Sequence, residues 1–156
     1  MSTELALKTD AGSQTTQFVS VHIDKQLFGL PIESVHEVFV PDSITPVPLA
    51  PPEAEGVLNL RGRIVTVVNM RRLLNLPRNE KAGGMAVGVE FKGETYGLLI
   101  DEVGEVLTLE NVNRLPNPSN LDPRWAQISN GVYRLPGVLM VILDVERALN
   151  RLTVVA

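Results

Sequence analysis

The sequence predicts a mostly β chain in which one small barrel-like unit is written twice, with short helices between and after the strands. Three observations carry that reading: alternating apolar strands, turn residues punctuating them at short spacing, and long blocks that recur at a fixed distance. The 156 residues are 44% apolar and 21% charged, enough Val, Leu and Ile to bury a core. Cysteine is absent, so neither disulfides nor thiolate metal sites are available, which fits a reducing cytoplasm.

The opening stretch MSTELALKTDAGSQTT has no basic region followed by an apolar run, and residues 1–16 read as a flexible tail. From Phe18 to Ile23 the chain alternates. Val19, Val21 and Ile23 face one way and Ser20 and His22 the other, the pattern of a half-buried strand. A polar Asp24-Lys25-Gln26 turn follows, then LFGLPIESVHEVF, where Gly29 and Pro31 exclude one long helix and give strand, turn, strand.

Sixty-eight residues on, AVGVEFKGETYGLLIDEVGEVL repeats the layout, with Val87, Val89 and Phe91 alternating before a Lys92-Gly93-Glu94 turn. FGLPIESVHEVF and YGLLIDEVGEVL agree at six of twelve positions. At a spacing of 75, GVLNLRGRIVTVVNMRRLLN matches GVYRLPGVLMVILDVERALN, pairing Gly56 with Gly131, Gly62 with Gly137 and Arg72 with Arg147. The seven extra residues fall around Pro116 to Pro123, in a loop that accepts insertion cheaply. Each repeat therefore reads as five short strands closed by a brief helix, Met70 to Leu76 and Val145 to Arg151. The expected division is a first barrel over 17–80 and a second over 85–152. A unit of about 65 residues buries little of its surface alone, so the two are expected to pack together and leave a groove between them.

Net charge is -4, and no lysine or arginine cluster marks a nucleic-acid surface. No apolar run reaches the length of a membrane span. His22 and His36 lack a third ligand at metal-site spacing. Asp101, Glu102 and Glu105 could be drawn as an acid–base set, but Glu33-Ser34 occupies the corresponding place in the first repeat, so a solvated face explains them. The glycines of Ala82-Gly83-Gly84 precede no Lys-Ser/Thr, so no phosphate loop is present. Catalysis and cofactors are not expected; an enzyme or small-ligand carrier using the inter-barrel groove is the reading from another class.

Comparing repeats separates residues the fold needs from those it does not. Leu135-Pro136-Gly137-Val138 has the proline and glycine a tight turn requires; the first repeat has Leu60-Arg61-Gly62-Arg63, where Gly62 fills the glycine role and Arg61 replaces the proline. Arg61 is either a solvated turn residue or a guanidinium offered to a partner carboxylate. Gly56 recurs as Gly131, so its first explanation is backbone conformation. Asn59 stands opposite Arg134 and lies near Arg61. Glu37 recurs as Glu105 and by itself reads as a solvated residue; Val19, Ile32 and Val35 read by periodicity as core.

Taken together, LPIESVHEVF, ITPVP, GVLNLRGRIVTVVNMRRLL, YGLLIDEVGEVL and LDVERAL resemble the CheW family of chemotaxis adaptors from Gln17 to the C-terminal helix. The resemblance implies two SH3-like five-stranded barrels without catalytic activity. It implies a cytoplasmic scaffold, monomeric in isolation, at receptor complexes of the inner membrane. Its partners would be a CheA-type histidine kinase and the cytoplasmic tips of chemoreceptors. Carried over residue by residue, it places Arg61, Glu37, Gly56 and Asn59 at a receptor contact and Val19, Ile32 and Val35 at a kinase contact. Two departures stand out: Thr66 and Asn69 occupy places where the family often has proline and aspartate, and they leave open an adaptor of a gliding, twitching or other non-flagellar pathway. Asn69 is expected to keep a helix cap.

Overall fold

The computed structural model describes residues 14–76 and 84–155. These residues form ten strands: β1 (Thr15–Ile23), β2 (Gln26–Pro31), β3 (Val35–Phe39), β4 (Ala54–Leu60), β5 (Arg63–Asn69), β6 (Met85–Phe91), β7 (Glu94–Ile100), β8 (Glu102–Glu110), β9 (Ser129–Leu135) and β10 (Val138–Leu143). Among the described residues three α-helices accompany them: α1 (Met70–Leu73), α2 (Pro123–Ala126) and α3 (Val145–Val155). The tail expected over residues 1–16 lies outside the described residues as far as residue 13, and its end is corrected: Thr15 and Thr16 already belong to β1, paired with Glu110 and Leu109 of β8; Ala82 and Gly83 of the linker lie outside the described residues too.

The predicted architecture is present, as two five-stranded sheets, but the strands are shared differently. One sheet runs β8-β1-β2-β10-β9 and the other β3-β6-β7-β5-β4. Replace each strand of the first by its repeat counterpart and the second results, so the two halves are related by a pseudo-twofold. Each sheet draws strands from both repeats, and the division at residues 80 and 85 does not separate them. The physical cause is a crossing: β2 ends at Pro31, and a 3-10 turn over Ile32–Ser34 carries the chain into the other sheet. The parallel pairs β10 with β2 and β5 with β7 then stitch one repeat to the other. Neither repeat holds all the strands of one sheet.

Both sheets close in the same way. The segment after β3 pairs with β4 through Thr45 and Val57, and that after β8 pairs with β9 through Leu115 and Val132. Because β strands place alternate residues on opposite faces, each sheet buries both. Phe18, Leu27, Tyr133, Met140 and Ile142 fill one barrel; Phe39, Leu58, Val65, Val67 and Ala86 fill the other. The opposite faces meet in a larger shared core that includes Val21, Phe28, Val87, Leu98 and the helix residues Leu73, Ala148 and Leu149. Burial of that kind is the dominant stabilising term. Ser20, expected on a polar face, is inside its barrel, 5% exposed, with its hydroxyl donating to the Glu105 carbonyl at 2.7 Å.

The inserted loop of the second repeat folds into α2, capped by Asp122 and anchored by Trp125, whose ring meets Phe28 edge-on at 5.5 Å. Asn69 caps α1 as expected, its side-chain oxygen accepting from Arg72 N at 3.2 Å, as Asp144 does for Arg147 N at 3.1 Å.

Tyr133 introduces a polar atom into its barrel, where the first repeat has Leu58. Its hydroxyl is buried without a hydrogen-bond partner among the described residues, and burial raises its pKa above the ordinary value. Tyr133→Phe is therefore expected to stabilise the fold by about 1 kcal/mol in urea unfolding, since an unsatisfied buried hydroxyl is lost with little packing. A raised phenol pKa means the unfolded chain ionises first, so stability falls as pH climbs through about 10. The variant should lack that part of the alkaline loss; a lower urea midpoint would count against the assignment.

Candidate functional site

The β4–β5 hairpin is the most sharply specified surface feature. Its two turn residues, Arg61 (φ 53) and Gly62 (φ 84), both lie in the left-handed region, the pattern of a type I′ turn, which matches the twist of paired strands. The second repeat turns differently. Gly137 is at φ 76, but Pro136 is held near φ of about −65 by its ring, the pattern of a type II turn. Arg61 therefore does not sit in the proline's backbone role: the two tips have different shapes, and a non-glycine residue is held in a conformation that costs about 1 kcal/mol or more. Asn59 stabilises the tip, its side-chain oxygen accepting from Gly62 N at 2.8 Å.

The guanidinium is displayed, 77% exposed, and Arg61 Nη1 meets Glu37 Oε1 at 2.9 Å. Glu37 reaches it from β3, just past a bulge that interrupts pairing with β6 between Val35 and Glu37. A bulge of this kind turns successive side chains to new directions: Val35 packs against the shared core while Glu37, 30% exposed, faces the hairpin tip. The second repeat keeps the glutamate, Glu105, but offers Pro136 in place of the arginine. The exposed ion pair belongs to one half alone.

The remaining candidates separate. Gly56, at φ 149, lets the chain pass Thr45; a Cβ there would lie 2.2 Å from the Thr45 carbonyl oxygen. Its role is backbone approach, as the repeat suggested. Val19 is 7% exposed within the shared core and presents no contact surface. Ile32, 41% exposed in the 3-10 turn, does, with part of Val35 beside it in the chain.

Sequence reading missed a second charged cluster. Asp101, taken for a solvated residue, is 19% exposed and accepts from Arg71 Nε at 3.0 Å and from Nη2 at 2.5 Å. Arg71 also reaches Asp24 at 3.4 Å, and Asp101 accepts from Asp24 N at 2.8 Å. The hydrogen bonds from Arg71 to Asp101 hold the Arg71 pKa above its usual value against the opposing effect of burial. The signal that could have found it lies in the repeat: Arg71 aligns with Glu146 and Asp24 with Lys92, a reversal that a merely solvated face does not require.

Residues 17–153 match the CheW-like domain family model. The chain belongs to the CheW family. Among relatives of that family, the chemotaxis protein CheW of Thermotoga maritima is 30% identical over 138 residues, covering 88% of this chain and 90% of that protein. The chemotaxis protein CheW of Treponema pallidum is 24% identical over 137 residues, covering 84% and 80%. The crystal structure of the scaffolding protein TtCheW from Thermoanaerobacter tengcongensis superposes with a TM-score of 0.76 at 27% identity, over 85% of this chain and 91% of that one. Among the described residues no helix is long and apolar enough to cross a membrane.

Proposed function

We propose that this CheW-family chain is a non-catalytic cytoplasmic scaffold that couples transmembrane chemoreceptors to a CheA-type histidine kinase. The exposed Arg61–Glu37 pair, built on a costly turn and confined to one half of a symmetric fold, carries the reading. An arginine fork suits a carboxylate on a receptor helix. Asn59 and Gly56 hold the hairpin and the strand behind it, and Ile32 with Val35 forms the apolar contact for the kinase's regulatory domain. Val19 supports that surface from within.

The scaffold's contribution is geometric. Holding both partners raises their effective concentration, and a receptor state that binds differently biases the kinase without chemistry by the adaptor. Such coupling is reciprocal in the binding equilibria. The test is co-sedimentation of purified kinase with receptor-containing membranes, with and without the adaptor. Kinase is expected in the pellet only when the adaptor is present, and Ile32→Asp should weaken kinase binding by about tenfold, the cost of a modest hot spot, without lowering the thermal midpoint. Failure to bind either partner would refute the proposal.

A further inference from the structure

The pseudo-twofold allows every site in one half to be compared with its counterpart in the other. The match extends to side-chain pairs: Asn69 donates to Glu55 at 3.1 Å, and in the other half Asn130, the counterpart of Glu55, donates to Asp144, the counterpart of Asn69, at 3.2 Å. At the junction of the sheets, the first half contains the guanidinium of Arg71 lodged against Asp101 and Asp24. The corresponding residues are Glu146, Glu33 and Lys92. Among the described residues no arginine forms an ion pair with Glu33 or Glu146 there.

What lies there is an open pocket of about 390 Å³, lined by Glu33, His36, Glu90, Asp144 and Glu146 over an apolar wall that includes Phe91. Several of its charges are already engaged. Asp144 is tied to Arg147 and Asn130, and Glu90 faces His36 Nε2 at 3.7 Å. Lys92 lies over the Phe91 ring, 5.2 Å from its centroid. Glu33 and Glu146 have no ion-pair partner among the described residues. A group of carboxylates alone would not mark a site. Here, however, there is a second observation: the repeat-related place in the other half is filled by a guanidinium, that of Arg71, against the carboxylate of Asp101, whose counterpart is Glu33.

We infer that this pocket receives an arginine side chain from a protein partner, in the place that Arg71 fills in the other half. The chemistry selects that ligand. Among the described residues no three His, Asp or Glu side chains converge closely enough to hold a metal ion. A planar fork can instead span separated carboxylates while its methylene stem lies along the Phe91 wall. The inference is independent of which partners the Arg61 surface binds.

The test is an NMR titration of the full chain with the capped tripeptide Gly-Arg-Gly, alongside its lysine and citrulline analogues. Saturable shifts are expected at amides 33–36, 90–91 and 143–146. The arginine peptide should bind about fivefold tighter than the lysine peptide, reflecting its bidentate geometry, and the uncharged citrulline peptide should not bind. Glu146→Arg, which supplies the cation from within, should abolish binding while leaving the urea midpoint unchanged or higher. Glu33→Gln and Glu146→Gln should each weaken binding by about tenfold and serve as the deciding variants if Glu146→Arg does not fold. Equal binding of citrulline and arginine, shifts away from the pocket, or undiminished binding by the glutamine variants would overturn the inference.

Discussion

Arg61→Glu is expected to fold normally yet reduce receptor-dependent kinase activation by about tenfold or more, equivalent to about 1.4 kcal/mol of lost partner binding. The structural cost is small because the ion pair is at the surface. Exposed pairs contribute about 0.2–1 kcal/mol, and the variant exchanges one such attraction with Glu37 for a repulsion of similar size. The thermal midpoint should move by only a few degrees. Two further variants separate partner contact from internal bracing. Arg61→Gly keeps the type I′ turn and relieves a left-handed non-glycine residue, so it should be at least as stable as the parent and still defective in activation. The exchange Glu37→Arg with Arg61→Glu rebuilds the pair in reverse. If the pair only braces the hairpin, the exchange will restore activation and the surface assignment is wrong; if a partner carboxylate reads Arg61, the exchange stays defective.

That hairpin also shows where sequence reading reaches its limit. The repeat reads Arg61 as a residue the turn does not require, because Pro136 stands opposite it, but that comparison assumes two equivalent turns. Side-chain identity aligned, but backbone conformation did not: φ is positive at Arg61 and cannot be at proline, so the two tips are different turns. Strand pairing was hidden more deeply. Alternation in Phe18 to Ile23 tells which residues face together, not which strand lies alongside, and β1 pairs with β2 and β8 from opposite repeats. Local periodicity is the same whether a barrel closes on its own repeat or borrows strands. Pro31 did announce a break, yet a break that turns back and one that crosses to another sheet look alike in sequence. Burial on both faces was legible only in part: Val19, Val21 and Ile23 read correctly as apolar and inward, whereas Ser20 was assigned to water because a hydroxyl satisfied by the Glu105 carbonyl leaves no pattern in the chain.

Arg71→Met is expected to destabilise the whole fold by about 3 kcal/mol, the low end of the cost of leaving buried charges without their partner. The side chain is 11% exposed and ties the β1–β2 turn, through Asp24, to the end of β7, through Asp101. These segments belong to different sheets, so the loss should appear as a single lower urea midpoint for both, not as fraying of one. Asp24 is 38% exposed and can be rehydrated, whereas Asp101, at 19%, cannot be so readily; the penalty should therefore concentrate on Asp101. Adding Asp101→Asn to Arg71→Met should recover about half the loss, since the amide removes an uncompensated charge while keeping an acceptor for Asp24 N. A double-mutant cycle should give a coupling of about 2 kcal/mol between Arg71 and Asp101, within the range for residues sharing one network. Coupling near zero, or a midpoint unchanged by Arg71→Met, would mean that water screens this cluster as it does Arg61 and Glu37. The contrast between the two pairs is the physical point: the same chemistry at the hairpin tip is available to a partner because it contributes little to the fold, and at the sheet junction it is not available because it holds the sheets together.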